Sequence, residues 1–558
     1  MIPTSVQNFS ELFSGEQLAV YFSVSAVIAI LLFYSSMKFL LVFQQCGYRG
    51  RRYFKWLSNK NTPYMSRLML LCLLGFLFFM VLNVCFSPIA GDTAASYIGF
   101  VSFILFTCLY INSESSVNAK VPLKKTKRLV RLCITYAILL FAFSFGFITL
   151  LNYLAFLIGD EMTALLRLSL VCGTPILTPY LLFVAYLINE PIEEILRVHH
   201  LRVANVKLSS SDVLKIGITG SYAKTSVKEI LKTLLSQKYR VLATPESYNT
   251  PQGIAITAKR LDSTHDVFIA EMGARSRGDI AALAKLVKPK YAVLTGVNSQ
   301  HLETFGSIEC TMDTKFELFE NMQEGGEAFF SADNANSVKL FDRFNGEKYF
   351  AGISGEDNLV TATDINMDTH GMTFTLNVKG EKPIKCSTVL LGKHSVKNIC
   401  LAAAVAYRIG LSVEDIAVGI SRLQSIGHRL ELLPNNKNIV IIDDSYNSNV
   451  DGITAAMDVL DTFSGRKIVL TPGLVELGKI ENVANYEMGK TLAKHSDMVI
   501  VIGKHNAEML IKGLLDGGMD RENIKFEKTL NKANKYLNTI IKEGDVVLFE
   551  NDLPDNYN

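Results

Sequence analysis

The stretch Lys215-Ile216-Gly217-Ile218-Thr219-Gly220-Ser221-Tyr222-Ala223-Lys224-Thr225-Ser226 decides how this chain is read. Lys215–Thr219 makes a short apolar strand. Small residues follow, then lysine and threonine, and from Val227 to Leu235 apolar residues recur at helical spacing. Strand, small-residue loop, lysine and helix form an arrangement that cradles phosphates. Loop N–H groups and the helix N-terminus face the anion, Lys224 adds a point charge, and the Thr225 hydroxyl reaches Mg²⁺. Gly220, Ser221, Ala223, Lys224, Thr225 and Ser226 are therefore candidate nucleotide-binding residues. Ala223 takes the place usually held by glycine before the lysine.

The segments downstream extend the pattern. Val267–Ala270 is a second apolar strand and ends in Glu271-Met272-Gly273-Ala274. Tyr291–Leu294 is a third and leads to Asn298-Ser299-Gln300-His301-Leu302-Glu303. Strand ends that deliver Glu271 and His301 beside a phosphate loop suit a doubly wound sheet, where ligands sit at the carboxyl ends of the strands. A carboxylate and an imidazole there would hold a divalent ion. For His301 alone, a loop histidine without a metal is the competing reading. Met372–Val378 alternates apolar and polar residues as a half-buried strand does, ahead of a helix Val396–Arg408. Ile439–Ile442, Lys467–Leu470, Met498–Ile502 and Val546–Phe549 are strand candidates separated by helical stretches, which implies a second parallel, Rossmann-like sheet.

Upstream the composition changes. The chain has 558 residues, too many for one domain at roughly 150 each, and its 56 basic and 53 acidic side chains nearly cancel. That balance argues against a nucleic-acid partner. Nine cysteines are too few for a disulfide scaffold, and the lack of any CxxC pair argues against a cysteine-rich zinc site. Mean hydropathy is +0.24 although a fifth of the residues are charged, so apolar residues are unevenly placed. They gather before residue 190, in runs near Val20–Phe43, Leu68–Phe86, Ala95–Ile111, Leu129–Leu151 and Met162–Ile188. A span needs about 20 mostly apolar residues, so an all-α transmembrane domain of five spans is expected. The first run is too long for a cleaved signal peptide and lacks a basic lead-in.

Loop charges set the orientation. Arg49, Arg51, Arg52, Lys55 and Lys60 follow the first run, Lys120, Lys124, Lys125, Lys127 and Arg128 the third, and Arg197 and Arg202 the fifth. The other side offers Glu11, Glu16, Asp92, Asp160 and Glu161. This places the N-terminus outside and the rest of the chain in the cytoplasm, on a multi-pass protein of the cell (inner or plasma) membrane. The basic loops would meet anionic membrane lipids. Lys38 and Arg167 would snorkel, Gly173, Pro175 and Pro179 would kink or break the last span, and Glu190–Arg202 would form a short helix leading out of the membrane.

TGSYAKTS (219–226), TPESYNTPQGIA (244–255), AEMGARSRGDIA (270–281), HLETFGSIECTMDTKFELF (301–319), LGKHSVKNICLAAA (391–404), GHRLE (427–431), DDSYNSN (443–449) and GLVELG (473–478) occur in that order. As a set they resemble the Mur ligases, ATP-dependent enzymes that build cell-wall peptide stems, and most closely the MurF-like branch. The resemblance covers about residues 212–558. With the apolar runs as a transmembrane domain at 1–205, it implies a P-loop central ATP-binding domain at 206–425 and a Rossmann-like C-terminal domain at 426–558. It further implies that Lys224 and Thr225 bind the ATP phosphates and Mg²⁺, with Glu271 and His301 as Mg²⁺ ligands. Lys315, fourteen residues after His301, matches a lysine that is carbamylated in several members, where the carbamate holds a second Mg²⁺; a plain surface lysine on a helix Asp313–Glu320 is the alternative. Asn398 matches the adenine-side asparagine, Arg429 the γ-phosphate arginine and Asp444 the ribose aspartate. Tyr446, Asn447 and Asn449 share the Asp444 loop.

The chemistry so implied is amide formation. ATP phosphorylates a carboxylate, and an amine from an amino acid or dipeptide attacks the acyl phosphate. Typical Mur ligases begin with a soluble domain for the uridine-nucleotide end of the acceptor, and here the apolar runs stand in its place. The acceptor carboxylate is then expected on a lipid-linked or membrane-delivered envelope precursor, with a bare anchor as the alternative role of the spans. Two further readings stay open at this level: the synthetase half of an amidotransferase fed by a glutaminase partner, and a non-catalytic nucleotide-binding membrane scaffold.

Overall fold

The computed structural model describes residues 13–58, 67–70, 72–75, 77–78, 81, 105–110, 123–158, 173–245, 248–299, 305–434, 438–445, 450–475, 477 and 480–551. Two compact units divide the chain, Met1–Leu196 and Arg197–Asn558.

The first unit is helical. It holds α1 (Gly15–Ser35), α2 (Met37–Gln45), α3 (Gly50–Leu57), α4 (Lys127–Ile158) and the start of α5 (Thr178–Ser209). Three helical stretches among the described residues are long and apolar enough to cross a membrane: Gly15–Ser35, Lys127–Leu154 and Thr174–Ser209. Phe22, Ile30, Ile134, Ile138 and Leu157 stand more than half exposed on α1 and α4, so the apolar character continues on the outer faces. The inner faces meet in an aromatic core. The Phe43 ring lies 4.9 Å from Tyr53 and 5.2 Å from Tyr186. The buried Tyr53 and Tyr136 hydroxyls donate to the Pro179 and Thr178 carbonyls at 3.3 and 3.1 Å. Ion pairs Arg128–Glu190 (3.4 Å) and Arg131–Glu193 (2.6 Å) tie α4 to α5.

Two of the sequence-based expectations change here, the first run as one span and Glu190–Arg202 as a helix of its own. Three candidate spans lie among the described residues; the runs Leu68–Phe86 and Ala95–Ile111 lie largely outside them, as do Asp92, Asp160, Glu161 and Arg167. The first run is broken at Ser36, because the Ser35 and Ser36 hydroxyls donate back to Leu32 O and Phe33 O at 2.8 and 2.7 Å and compete with the helical ladder. Glu190–Arg202 is not a separate helix. The structured part of the last run begins with a 3₁₀ turn, Thr174–Leu177, and continues as unbroken α5, which absorbs Pro191 at the loss of one backbone hydrogen bond.

The second unit contains two sheets. The first has the order β2-β3-β1-β4-β5-β6-β7-β8-β9. Its strands are β1 (Leu214–Thr219), β2 (Val241–Ala243), β3 (Val267–Glu271), β4 (Tyr291–Leu294), β5 (Glu327–Ser331), β6 (Glu347–Gly352), β7 (Asn358–Asp368), β8 (Gly371–Val378) and β9 (Ile384–Thr388). Pairing is parallel from β2 to β7 and antiparallel from β7 to β9. On one face pack α6 (Lys224–Leu235), α11 (Lys393–Ile409) and α12 (Val413–Ser421). On the other lie α7 (Pro251–Ala258), α8 (Asp279–Val287), α9 (Ile308–Glu320) and α10 (Ala335–Arg343), joined by Ala204 and Leu208 of α5. Both faces are covered, which is why β1, β3 and β4 read as continuous apolar runs.

The second sheet has the order β10-β11-β15-β12-β13-β14, parallel except for β10 against β11. Its strands are β10 (Glu431–Leu433), β11 (Val440–Asp444), β12 (Lys467–Thr471), β13 (Met498–Ile502), β14 (Ile524–Glu527) and β15 (Val546–Glu550), with α13 (Val450–Thr462), α14 (Glu481–His495), α15 (Ala507–Asp516) and α16 (Leu530–Ile540) as crossovers.

Candidate active site

The phosphate loop is stitched to the strand beside it. Ser221 N donates to Gly296 O (2.8 Å), and Thr295 Oγ1 donates to Tyr222 O (2.5 Å). A Cβ on Gly220 (φ +154°) would overlap the Thr295 hydroxyl, so only glycine fits there. Ala223 adopts φ +57°, the left-handed region, immediately before α6. The position needs glycine geometry, and alanine holds it at a steric cost of about 1–2 kcal/mol. The Ser221 hydroxyl is buried with no hydrogen-bond partner among the described residues.

Lys224, the first residue of α6, folds back onto the loop and donates to Gly220 O (2.8 Å) and Ser221 O (3.1 Å). Burial pulls its amine well below the lysine range, to about 8; Glu271 acts in the opposite sense and Arg429 adds to the lowering. Thr225 Oγ1 donates to Glu271 Oε2 at 2.9 Å, and Asn249 Nδ2 donates to Glu271 Oε1 at 3.1 Å. Glu271 closes β3 and is 1% exposed. Lys315, on α9, is buried; its amine is lowered to about 7 by burial and by repulsion from Lys224, with partial relief from Asp279 and Glu317. It is not a surface lysine.

The C-terminal sheet supplies Arg429 and Asp444. Arg429 lies between two non-glycine residues with positive φ, His428 (+61°) and Leu430 (+47°), so the backbone is bent sharply on both sides of the guanidinium. Asp444 Oδ1 accepts from Leu430 N (3.2 Å) and steadies that bend. Burial raises the Asp444 carboxyl to about 6 against the opposing pull of Arg429. Lys224 thus lies close enough to Glu271, Lys315 and Arg429 for their charges to act on one another. Asn398 is half-buried on α11. His301, Tyr446, Asn447 and Asn449 lie outside the described residues.

The donors fit Mg²⁺. Thr225 Oγ1 and Glu271 Oε2 are hard oxygens 2.9 Å apart. Adjacent corners of an octahedron with Mg–O bonds of about 2.1 Å are about 3 Å apart.

The family models agree with this geometry. "Mur ligase middle domain" matches residues 218–406, and "Mur ligase, glutamate ligase domain" matches residues 428–550. The UDP-N-acetylmuramoyl-tripeptide–D-alanyl-D-alanine ligase of Escherichia coli is 32% identical over 335 residues, which cover 59% of this chain and 73% of that protein. The chain belongs to the Mur ligase family. It is an ATP-dependent ligase that joins carbon to nitrogen. The enzyme of the same name from Bacillus subtilis is 28% identical, over 62% of this chain and 75% of its own length. The MurF ligase of Thermotoga maritima, solved in complex with ADP, is 27% identical, with a TM-score of 0.58 over 64% of this Mur ligase and 80% of that chain. Family membership sets aside the non-catalytic scaffold as a reading.

Four side chains of this site were not singled out by sequence reasoning. Asn249 and Lys228 both contact Glu271, the latter from one helical turn beyond Lys224. His394, four residues before Asn398, has a buried Nδ1 without a partner among the described residues, and burial with Arg429 and Lys397 nearby holds it down to about 4, hence neutral. His428 Nδ1 pairs with Asp443 Oδ2 at 2.7 Å. Asn249, His394 and His428 stand inside the quoted segments, and the i,i+4 spacing of His394 and Asn398 on one helix face was the readable signal.

Proposed function

We propose that this Mur ligase joins the amine of an amino acid or dipeptide to the carboxylate of a peptidoglycan precursor presented at a membrane, through an acyl phosphate. The observation that carries the reading is the gathering of Lys224, Thr225, Glu271, Lys315 and Arg429 in one neighbourhood of the second unit. It is supported by the names of the Escherichia coli and Bacillus subtilis relatives, which act on a UDP-linked tripeptide and D-alanyl-D-alanine. The family match begins at residue 218, whereas the residues before it include three helices apolar enough to span a bilayer. A lipid-linked acceptor follows from that substitution. Residues 1–205 are then the membrane domain, 206–425 the ATP-binding domain and 426–558 the closing domain, both of the latter on the cytoplasmic face.

In the first step a carboxylate oxygen attacks the γ-phosphorus and the bond to ADP breaks. Negative charge crowds there, and Lys224 and Arg429 offset it. Asn398 takes the adenine side and Asp444 the ribose. Thr225, Glu271 and His301 would hold Mg²⁺, which would neutralise phosphate charge. Lys315 carries a carbamate: its amine is neutral often enough near pH 7 to add CO₂ with release of one proton, and the product is an anion for a second ion. In the second step the amine attacks the acyl carbon, phosphate leaves, and a proton is lost from nitrogen.

The test incubates the full-length protein in membranes with ATP, Mg²⁺ and candidate amines, and follows phosphate release together with lipid-extract masses. Phosphate release that needs both amine and acceptor, with a product mass equal to their sum minus water, is expected. Phosphate release indifferent to both would overturn the reading.

A further inference from the structure

Lys228 is fully buried, yet its ammonium lies 3.5 Å from Glu271 Oε2 and 3.3 Å from Glu229 Oε1. The Glu271 oxygen it faces is the one that accepts from Thr225 Oγ1, the corner at which the two Mg²⁺ donors meet. Lys228 follows Lys224 by four residues and Thr225 by three, so its side chain neighbours both at the start of α6. Two lysines of α6 thus bear on the buried Glu271 carboxylate: Lys228 by direct contact, shared with the half-buried Glu229, and Lys224 through its charge.

We infer that Lys228 is a positioning residue that occupies Glu271 in the nucleotide-free enzyme, so that the divalent ion enters with the nucleotide and not before it. The inference rests on the reading of Glu271 as a Mg²⁺ ligand. A dication held by Glu271 Oε2 would be repelled by the buried ammonium 3.5 Å from that oxygen, at the effective dielectric of a protein. The triphosphate reverses that balance by bringing several negative charges of its own. Lys228 thus keeps the carboxylate oriented toward Thr225 without leaving it an open trap for free metal.

The experiment titrates the full-length protein with Mn²⁺ by electron paramagnetic resonance, without nucleotide and then with a non-hydrolysable ATP analogue. Wild-type protein is expected to bind Mn²⁺ alone no tighter than about millimolar and to bind it well only with the analogue. Lys228→Met should gain nucleotide-free Mn²⁺ affinity by about tenfold or more, and added Mg²⁺ alone should raise its melting temperature but not that of wild type. Lys228→Arg, which keeps the charge, should behave as wild type. Tight Mn²⁺ binding by the nucleotide-free wild type, or unchanged affinity and melting in Lys228→Met, overturns the inference. Because wild type is itself an arm of the test, a Lys228→Met protein that fails to fold does not protect the idea. Affinity gained in Lys228→Met that persists after adding Glu271→Gln would instead overturn the assignment of Glu271 as ligand.

Discussion

Lys315 shows how far a single residue can be read. A lysine on a helix after a strand–loop unit is most often solvated, and only the resemblance marked it; burial and the nearby Lys224 charge, which lower its amine to about 7, follow from packing that no local pattern reveals. Carbamate formation needs the free amine, so turnover should fall as pH drops below about 7, and a ¹³C-bicarbonate NMR signal should appear in wild type and vanish in Lys315→Met. A pH profile flat from 6 to 8, with no such signal, would remove the carbamate. The stability sign is separate. Folded-state values for Lys224 and Lys315 lie below the ordinary 10.5, so the unfolded chain binds more protons between about pH 7 and 10.5, and these two lysines make the fold more stable as pH rises through that window. Ala223 gives the opposite lesson: its identity was legible, but the left-handed backbone that makes it costly was not. Ala223→Gly relieves about 1–2 kcal/mol of strain against about 0.5–1 kcal/mol of extra chain entropy. Urea unfolding should therefore show a net gain of about 0.5–1 kcal/mol, with turnover within about twofold of wild type; a loss of stability would mean the strain is not there.

Among elements, strands buried on both faces were the most legible. β1, β3, β12, β13 and β15 are short apolar runs because helices cover both sides, and that chemistry is local. β6 and β14 escaped notice because half-buried, charge-bearing strands carry no such run. What sequence pattern could not show at all is how a loop is held. After β12, the Gly473–Leu474 turn is pinned by three buried asparagines distant in sequence. Leu474 N donates to Asn485 Oδ1 (2.8 Å), Asn506 Nδ2 donates to Leu474 O (2.7 Å), and Asn551 Nδ2 donates to Gly473 O (2.6 Å). Gly473 (φ +83°) is required because a Cβ would overlap Asn485 Oδ1. Asn551 N also donates to Asp444 O (3.1 Å), so this turn and the Asp444 loop share one support. Asn485→Ala leaves the Leu474 N–H buried without its acceptor and should destabilise the protein by about 1–3 kcal/mol. Chemical unfolding checks that figure, and hydrogen exchange at the Leu474 amide should quicken even where the fold persists. Slow exchange there in the variant would show that Asn506 and Asn551 suffice.

At the scale of the whole molecule, the change from an apolar first third to strands alternating with helices was plain in the sequence, and the exact ends of the apolar helices were not. Hydropathy sums over windows and cannot see the Ser35 and Ser36 hydroxyls that end α1, nor that Pro191 fails to end α5. The second unit has its own cores, and Ala204 and Leu208 of α5 belong to one of them, packed with Ile254, Ala255 and Ala258. A chain beginning at Arg197 keeps those contacts and should fold. It should bind a non-hydrolysable ATP analogue with Mg²⁺ within about threefold of the full-length affinity, measured by calorimetry. Its turnover on a membrane-embedded acceptor should nonetheless fall by about tenfold or more, because confinement beside the substrate, which supplies an effective concentration near the millimolar range, is lost. Two controls separate the causes. Arg49→Ala and Lys124→Ala in the full chain should leave ATP turnover unchanged, since both lie in the first unit. If the shortened chain instead processes membrane-embedded acceptor as fast as the full protein, delivery through the helical unit is wrong and those helices serve some other purpose.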